Sequence, residues 1–519
     1  MKKIAFIALA LAVSCNSTQK TTGDKKISKT VVANPTTYAQ TISEGELKTH
    51  LYTYASDEFE GREAGKPGQK KAVQYLKSEY EKLGIKAAKA DGNYFQEVPL
   101  EISKLPTGTL SANGKEYTLG EDYVTTTQAK GNYDAIVYVG YGIEKGTYSD
   151  YSNLDVKGKI VFAKTGEPKK ADGTYVLSGS TEQSDWSKES DALAKRADLA
   201  KEKGASGIIF YDENLFPRYQ QFFARMQKSG RERVSLKPAT PDNFATILVG
   251  SKLASVFVKD IATTHTPKSV KTDLKLNLVS GNTDVESENV AAIIRGSEKP
   301  NEYLVISSHL DHIGVNKDGA INNGADDDGS GTVALLEIAE AFKTAELDGN
   351  GPKRSVVFLH VTAEEKGLLG SQYYTDVDPI FPLEQTVANL NIDMVGRIDP
   401  KREGDRNYIY LIGADKLSTE LHNLSEEVNT KYMNLELDYT YNDENDPNRF
   451  YYRSDHYNFA KNNIPIIFYF NGTHDDYHQP SDTPDKINYD LLENRSRLVF
   501  YTAWEIANRA QRLVVDKTE

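Results

Sequence analysis

The sequence predicts an α/β protein: a central mixed, mostly parallel sheet flanked by helices, with a smaller β-rich domain inserted into it. Three observations lead there. From Glu286 onward, apolar strand-like runs such as 'NVAAIIRG', 'EYLVISSH', 'SVVFLHVT', 'VANLNIDMVG' and 'IPIIFYF' alternate with helical stretches such as 'TVALLEIAEAF'. Between Pro106 and Val285 the texture changes to short β-type runs, 'DAIVYVG' and 'GKIVFAK' among them. In the second half, acids and histidines fall just after the apolar runs, which is where open α/β sheets carry their functional crevice.

The elements follow in order. Residues 1–15, 'MKKIAFIALALAVSC', have two lysines, a short apolar core and small residues before Cys15. That is a secretory signal, too short for a stable transmembrane helix. Cys15 is the only cysteine, which excludes an intrachain disulfide, and its place after 'LAVS' resembles the lipobox of bacterial lipoproteins. The mature protein is expected to be exported and anchored to a cell-envelope membrane by a lipid on Cys15. Residues 16–42 are polar and aperiodic and read as a flexible tether. Residues 43–105 open the main domain: Ser43 and Glu46 have capping-box spacing. In 'GQKKAVQYLKSEYEKLG', Ala72, Tyr75, Leu76, Tyr80 and Leu83 recur at helical spacing before Gly84. Residues 106–285 form the insert, in which 'DALAKRADLAKEKGASGIIFY' is a helix feeding a strand. Residues 286–519 complete the main domain. With 519 residues and 39% apolar composition the chain can bury a full core, and its net charge of -13 excludes the basic footprint of a nucleic-acid binder.

The chemistry lies in five segments. His309 and Asp311 follow 'YLVISS', Glu364 and Glu365 follow 'SVVFLHVTA', Asp393 follows 'VANLNI', and His478 lies soon after 'IPIIFYF'. The loop 'GADDDGSG' adds Asp326, Asp327 and Asp328 just before a helix. Singly, each has an ordinary explanation as a cap, a turn or a satisfied core group. Together at one sheet edge they would repel and desolvate one another unless a cation lay among them. Imidazole and carboxylate without cysteine suit zinc, with cobalt and manganese as lesser fits. Two histidines and three acids exceed one catalytic zinc and match two ions sharing a carboxylate. Charge alone does not say which of the three aspartates would bridge.

Other patterns carry less. 'DDDGSGTVALLE' matches EF-hand spacing, but the Gly- and Asn-rich stretch before it is no entering helix. 'GYGIEKG' mimics a dinucleotide turn with the wrong spacing, and no HExxH or GxSxG motif is present. In 'RSDHYNF', Asp455 and His456 read equally as internally bonded groups or as a substrate wall, with Tyr451, Tyr452 or Arg453 available to hold an oxyanion. His474 rivals His478 as a ligand. His50, His265, His312, His360 and His422 carry no motif.

The set 'SSHLDHIG', 'GADDDGSG', 'AEEKGLLGS', 'NLNIDMVG', 'RSDHYNFAKNNIPIIFYF' and 'YHQPSDTPDKI' resembles the M28 family of co-catalytic zinc peptidases, mostly aminopeptidases. The likeness covers about 43–106 and 286–509, including 'SDEFEGREAGKPG' near the start. The insert, through 'LDVKGKIVFAK' and 'AKEKGASGIIFY', resembles a protease-associated (PA) domain. The resemblance implies a zinc-exopeptidase fold and two zinc ions per chain. It implies His309 and Asp393 on one ion, Glu365 and His478 on the other, and Asp327 between them. Glu364 would be the general base and Asp311 would orient the His309 ring. The implied substrates are peptides with a free N-terminus. Rival implications are a carboxypeptidase, a single-zinc glutaminyl cyclase, and a non-catalytic receptor on a decayed peptidase fold. Intact ligands and an intact Glu364 argue against the last.

Overall fold

The computed structural model describes residues 34–188, 191–229, 233–240 and 243–518. The leader 1–15, with Cys15, and the tether up to residue 33 lie outside the described residues. The end of the expected tether is part of the fold. Pro35–Ala39 forms a short helix, α1, opened by the Asn34 side chain accepting from the Thr36 N–H. Tyr38, Ala39 and Ile42 are buried, the Tyr38 ring packs on Trp504 (centroids 5.6 Å apart), and Arg497 donates to the carbonyls of Ala39 and Ile42. Three apolar side chains within five residues anchor this stretch. Polar neighbours hide them in the composition.

Helix α2 (Glu44–Tyr54) starts at the expected capping box: Ser43 Oγ accepts from the Glu46 N–H and donates to Glu46 Oε2. Helix α3 (Pro67–Leu83) has proline in its first turn and ends at Gly84, whose φ of 70° is the left-handed conformation that glycine adopts at least cost. Ala72, Leu76 and Tyr80 form its buried stripe.

The main sheet takes strands β1 (Phe95–Ser103), β2 (Arg233–Leu236), β3 (Thr283–Ile294), β4 (Lys299–His309), β5 (Arg354–Val361), β6 (Thr386–Ile392), β7 (Tyr408–Ile412), β8 (Glu436–Asp438) and β9 (Ile466–Phe470). Their spatial order is β2-β1-β3-β5-β4-β6-β9-β7-β8. The four central strands β5, β4, β6 and β9 are mutually parallel, and β7 and β8 form a further parallel pair. The pairings of β2 with β1, β1 with β3, β3 with β5 and β9 with β7 are antiparallel. The parallel part is therefore the centre, buried on both faces, which is why its strands read as unbroken apolar runs. Helix α4 (Gly331–Leu347) packs against β4 and against helix α5 (Tyr489–Asn508). It is buried nearly all round, so 'TVALLEIAEAF' shows no broad polar face.

Residues 107–279 supply a second, eight-stranded sheet. Its strands Ala129–Tyr138, Ile160–Lys164, Gly207–Tyr211 and Ala245–Val249 run parallel to one another, so this region has an α/β centre as well as its antiparallel strands. Two boundaries differ from the expected 106–285. β3 begins at Thr283 and carries the chain straight through position 285. Arg233–Leu236, from within the insert, crosses to the main sheet and pairs with Leu100–Ser103 of β1. A four-residue 'RVSL' is too short to show its sheet in sequence.

Candidate metal centre

The C-terminal ends of β4, β5, β6 and β9 lie on one edge because these strands are parallel, and each delivers part of the site. His309 is the last residue of β4, Glu364 and Glu365 follow β5, Asp393 follows β6, and His478 lies beyond β9. Asp327 comes from the loop leading into α4. His309 Nδ1 bonds the backbone carbonyl of Asp311 (3.1 Å), which turns Nε2 toward Asp327 Oδ1 (3.1 Å) and Asp393 Oδ1 (3.6 Å). The other Asp327 oxygen, Oδ2, is 3.0 Å from His478 Nε2, and that nitrogen is 3.1 Å from Glu365 Oε2. Asp327 thus faces His309 with one oxygen and His478 with the other, the disposition a bridging carboxylate needs.

The neighbouring aspartates are engaged elsewhere. Asp328 lies near His309 and Asp393 and offers an oxygen within reach of both. Its Oδ2, however, accepts from the His309 N–H, and its Oδ1 accepts from the N–H groups of Gly331 and Met394. That carboxylate ties the end of β4, the start of α4 and the segment after β6 together. A Cβ at Gly331 would collide with it, which explains the glycine in 'GSG'. Asp326 accepts from the Gly396 N–H and pairs with His474 Nε2 at 3.1 Å. His474 is thereby drawn away from the cluster, and His478 is the histidine that faces Asp327. Asp482 Oδ2 accepts from the N–H groups of both Asp326 and Asp327. Arg62, buried and stacked over Tyr54, donates to the carbonyls of Tyr54, Leu310, Asn323 and Gly324, and so holds the loops on either side of the cluster.

Asp311 acts differently from the expectation. Its backbone carbonyl orients the His309 ring. Its carboxylate stands 3.9 Å from Nδ1 and accepts instead from the Glu364 N–H (3.1 Å). Asp311 therefore fixes the backbone at Glu364 as well as the imidazole. In 'RSDHYNF' the internal reading holds for Asp455 and His456: Asp455 accepts from Ser371 Oγ, and His456 Nε2 bonds the Tyr451 carbonyl with its ring stacked on Phe468. Ser454 donates to Asp393 Oδ2 at 2.6 Å and steadies it. Arg453 lines a small cavity at the cluster with Phe450, Phe468, Phe470 and Tyr477, beside Asp327, Glu364 and Asp393. His312, which sequence reading left without a role, is fully buried with Nδ1 2.8 Å from Glu365 Oε1. Its neighbours in 'HLDHIG' form no motif for it.

The electrostatics fit a cation. With protein charges alone, burial pushes the Glu364 carboxyl well above the usual range, and Glu365 and Asp393 add to this. Burial likewise lifts Asp311 to about 6. Burial opposes charging of His478, yet the carboxylates of Asp327 and Glu365 outweigh it and raise the ring to about 10. Among the described residues, Asp327 Oδ2, Glu365 Oε1, His478 Nε2 and His312 Nδ1 are buried and make no hydrogen bond. Buried polar atoms without partners are costly, and a group of them around one point is the signature of a bound ion. The donors are imidazole and carboxylate, with no thiolate, which suits zinc.

Comparison with known proteins shows what the residues around this site are similar to. Residues 289–503 match the family model described as peptidase family M28. Over 423 residues the chain is 26% identical to the aminopeptidase YwaD of Bacillus subtilis, covering 76% of each protein. It is 26% identical over 265 residues to leucine aminopeptidase 2 of Trichophyton equinum, covering 46% of this chain and 48% of that protein. A shorter match, 32% identical over 120 residues, joins it to a probable glutamate carboxypeptidase of Arabidopsis thaliana, spanning 23% of this chain and 16% of that protein. Among solved structures, the aminopeptidase from Aneurinibacillus sp. strain AM-1 aligns at 18% identity and a TM-score of 0.46, covering 94% of this chain and 99% of that one.

Proposed function

We propose that this M28 protein is a zinc-dependent aminopeptidase that removes N-terminal residues from peptides. The observation that carries the reading is the convergence of His309, Asp327, Glu365, Asp393 and His478 from four parallel strand ends and one loop, with buried atoms of Asp327, Glu365 and His478 that make no hydrogen bond among the described residues. The protein is a hydrolase of peptide bonds, and the relatives that match it over the longest stretches are named as aminopeptidases. His309 and Asp393 would hold one zinc and Glu365 and His478 a second, with Asp327 shared. Bound zinc supplies Lewis acidity toward the scissile carbonyl and lowers the pKa of the attacking water.

The chain's own groups do the rest. Glu364, placed by the Asp311 carboxylate on its N–H, takes the proton of the attacking water and returns it to the leaving amine. Its environment disfavours the charged form in the protein alone, and a nearby dication would restore the carboxylate needed for a base. The acid-rich rim supports binding of a substrate ammonium, which makes the reaction exopeptidic. The apolar wall of Phe450, Phe468 and Phe470 supports burial of the N-terminal side chain. The leader and Cys15 support export and a lipid anchor in a bacterial cell envelope.

The test is metal analysis joined to a panel of aminoacyl-nitroanilides and C-terminally blocked peptides. Two zincs per chain with cleavage of free-N-terminal substrates supports the reading. One zinc with cyclisation of N-terminal glutamine refutes it, as does cleavage that needs a free C-terminus.

A further inference from the structure

His312 lies in the loop after β4, three residues beyond His309, and is 0% exposed. Its Nδ1 stands 2.8 Å from Glu365 Oε1 and 3.7 Å from Asp327 Oδ2. At 2.8 Å the pair is close enough for a hydrogen bond, yet neither atom is placed in line to make one among the described residues. Two electronegative atoms this close, with no N–H directed between them, are tolerated when both aim lone pairs at one cation. His478 Nε2 behaves the same way, 3.0 Å from Asp327 Oδ2 and 3.1 Å from Glu365 Oε2 without a hydrogen bond. Ligand atoms about 2.0–2.2 Å from a tetrahedral zinc lie ~3.3 Å from one another. The three separations that use one oxygen of each carboxylate, 2.8 Å for His312 to Glu365 Oε1 and 3.7 and 3.0 Å for His312 and His478 to Asp327 Oδ2, scatter around that value. The two imidazoles meet edge to face, with centroids 5.7 Å apart, so both rings can bring a nitrogen to one point without stacking.

We propose that His312 is a fourth protein ligand, through Nδ1, of the ion held by Asp327, Glu365 and His478. This rests on the metal-centre reading above. It makes the two ion sites unequal. The ion of His309, Asp327 and Asp393 keeps three protein ligands and an open position, as catalytic zinc does. The other is closed by four, as structural zinc is. The closed ion is the one retained longest against a chelator, and its work is to fix Asp327 and Glu365.

The rival role for His312 is a hydrogen-bonding neighbour that orients Glu365. Three proteins separate them: the wild type, His312→Ala and His312→Cys, each loaded with cobalt(II) and titrated with a chelator, with far-UV circular dichroism as the folding control. The wild type is expected to bind two ions. His312→Ala is expected to keep one ion at wild-type affinity and to lose more than ~100-fold on the other, beyond the 10–100-fold typical when only an orienting neighbour is removed. In His312→Cys a thiolate-to-cobalt charge-transfer band should appear in the near ultraviolet, because sulfur ligates at about 2.3 Å and compensates for the shorter side chain. Two bound ions in His312→Cys without that band overturn the proposal. So does a His312→Ala loss of ~100-fold or less, the range of an orienting neighbour; this arm decides alone if the cysteine variant does not fold. A wild type that binds no second ion sinks the two-metal reading itself, a different result from failure of His312 alone.

Discussion

Glu337 sits in the middle of α4, 1% exposed, and neither of its carboxylate oxygens makes a hydrogen bond among the described residues. Burial pushes its carboxyl from the ordinary 4.5 up to about 9, with Glu46 and Glu340 adding repulsion. The sign follows from linkage. A carboxyl whose folded value is raised contributes fully below the unfolded value, and its contribution is lost as pH rises toward the folded one. Wild type should therefore lose stability between about pH 4.5 and pH 9. At ~1.4 kcal/mol per pKa unit, the whole span costs about 6 kcal/mol, and about 3 kcal/mol of it is already lost at pH 7. Glu337→Gln keeps the shape and cannot ionise. The gain over wild type should be near zero at pH 4.5 and should grow steadily to pH 9, read by urea unfolding of both proteins at matched zinc. Taking the difference cancels the titration of the metal centre. One arrangement would refute the reasoning. His50 Nε2 lies 3.5 Å from Glu337 Oε1, with the ring's own charging disfavoured by burial. If the two nevertheless form a charged pair, Glu337→Gln will be the less stable protein at pH 5–7, and the burial argument fails.

Other outcomes follow from the site. Glu365→Ala should lose zinc and stability together, whereas Glu364→Gln should keep both ions and lose about 10²–10⁴-fold in turnover; metal content beside kcat for the pair checks this, and the reverse pattern exchanges the roles. His478→Ala should lower zinc content and His474→Ala should not, because His474 is paired with Asp326; equal metal loss would contradict the assignment. Replacing 104–282 by a two-residue turn should leave cleavage of small chromogenic substrates intact, since Ile102 already pairs with Thr283 across β1 and β3. Loss of activity with zinc unchanged would show that the insert supplies catalytic groups. Cys15→Ser should release the protein from membranes or leave the precursor uncleaved, read by fractionation and mass, and unchanged membrane retention would exclude the lipid anchor.

What was legible in the sequence is what lies close along the chain. The runs before His309, Glu364, Asp393 and His478 announce core strands, and in a parallel sheet the residues after such strands share an edge. The capping box at Ser43 and the left-handed glycine after α3 are local signals of the same kind. What was hidden depends on partners distant in sequence. Charge does not separate Asp326, Asp327 and Asp328; the contacts of Asp326 with Gly396 and His474 and of Asp328 with Gly331 and Met394 do. His312 differs from the other histidines without motifs only by facing Glu365, 53 positions away. The Arg62 guanidinium sits in a polar loop that reads as solvent-exposed, yet it is buried by the carbonyls it collects. The strand Arg233–Leu236 is chosen by the free edge of β1, which no property of 'RVSL' reveals.

The Asp328 carboxylate has a consequence for how the protein matures. It accepts three backbone N–H groups from three elements, while Asp482 and Arg62 secure the adjoining loops with further backbone bonds. The scaffold around the ligands is thus built from protein contacts. Ordering the loops, which elsewhere must be driven by the arriving ion, has already been accomplished by the fold. Zinc delivery can then be the last step, made to a chain that has already folded. The ion can be exchanged or replenished without the chain having to unfold.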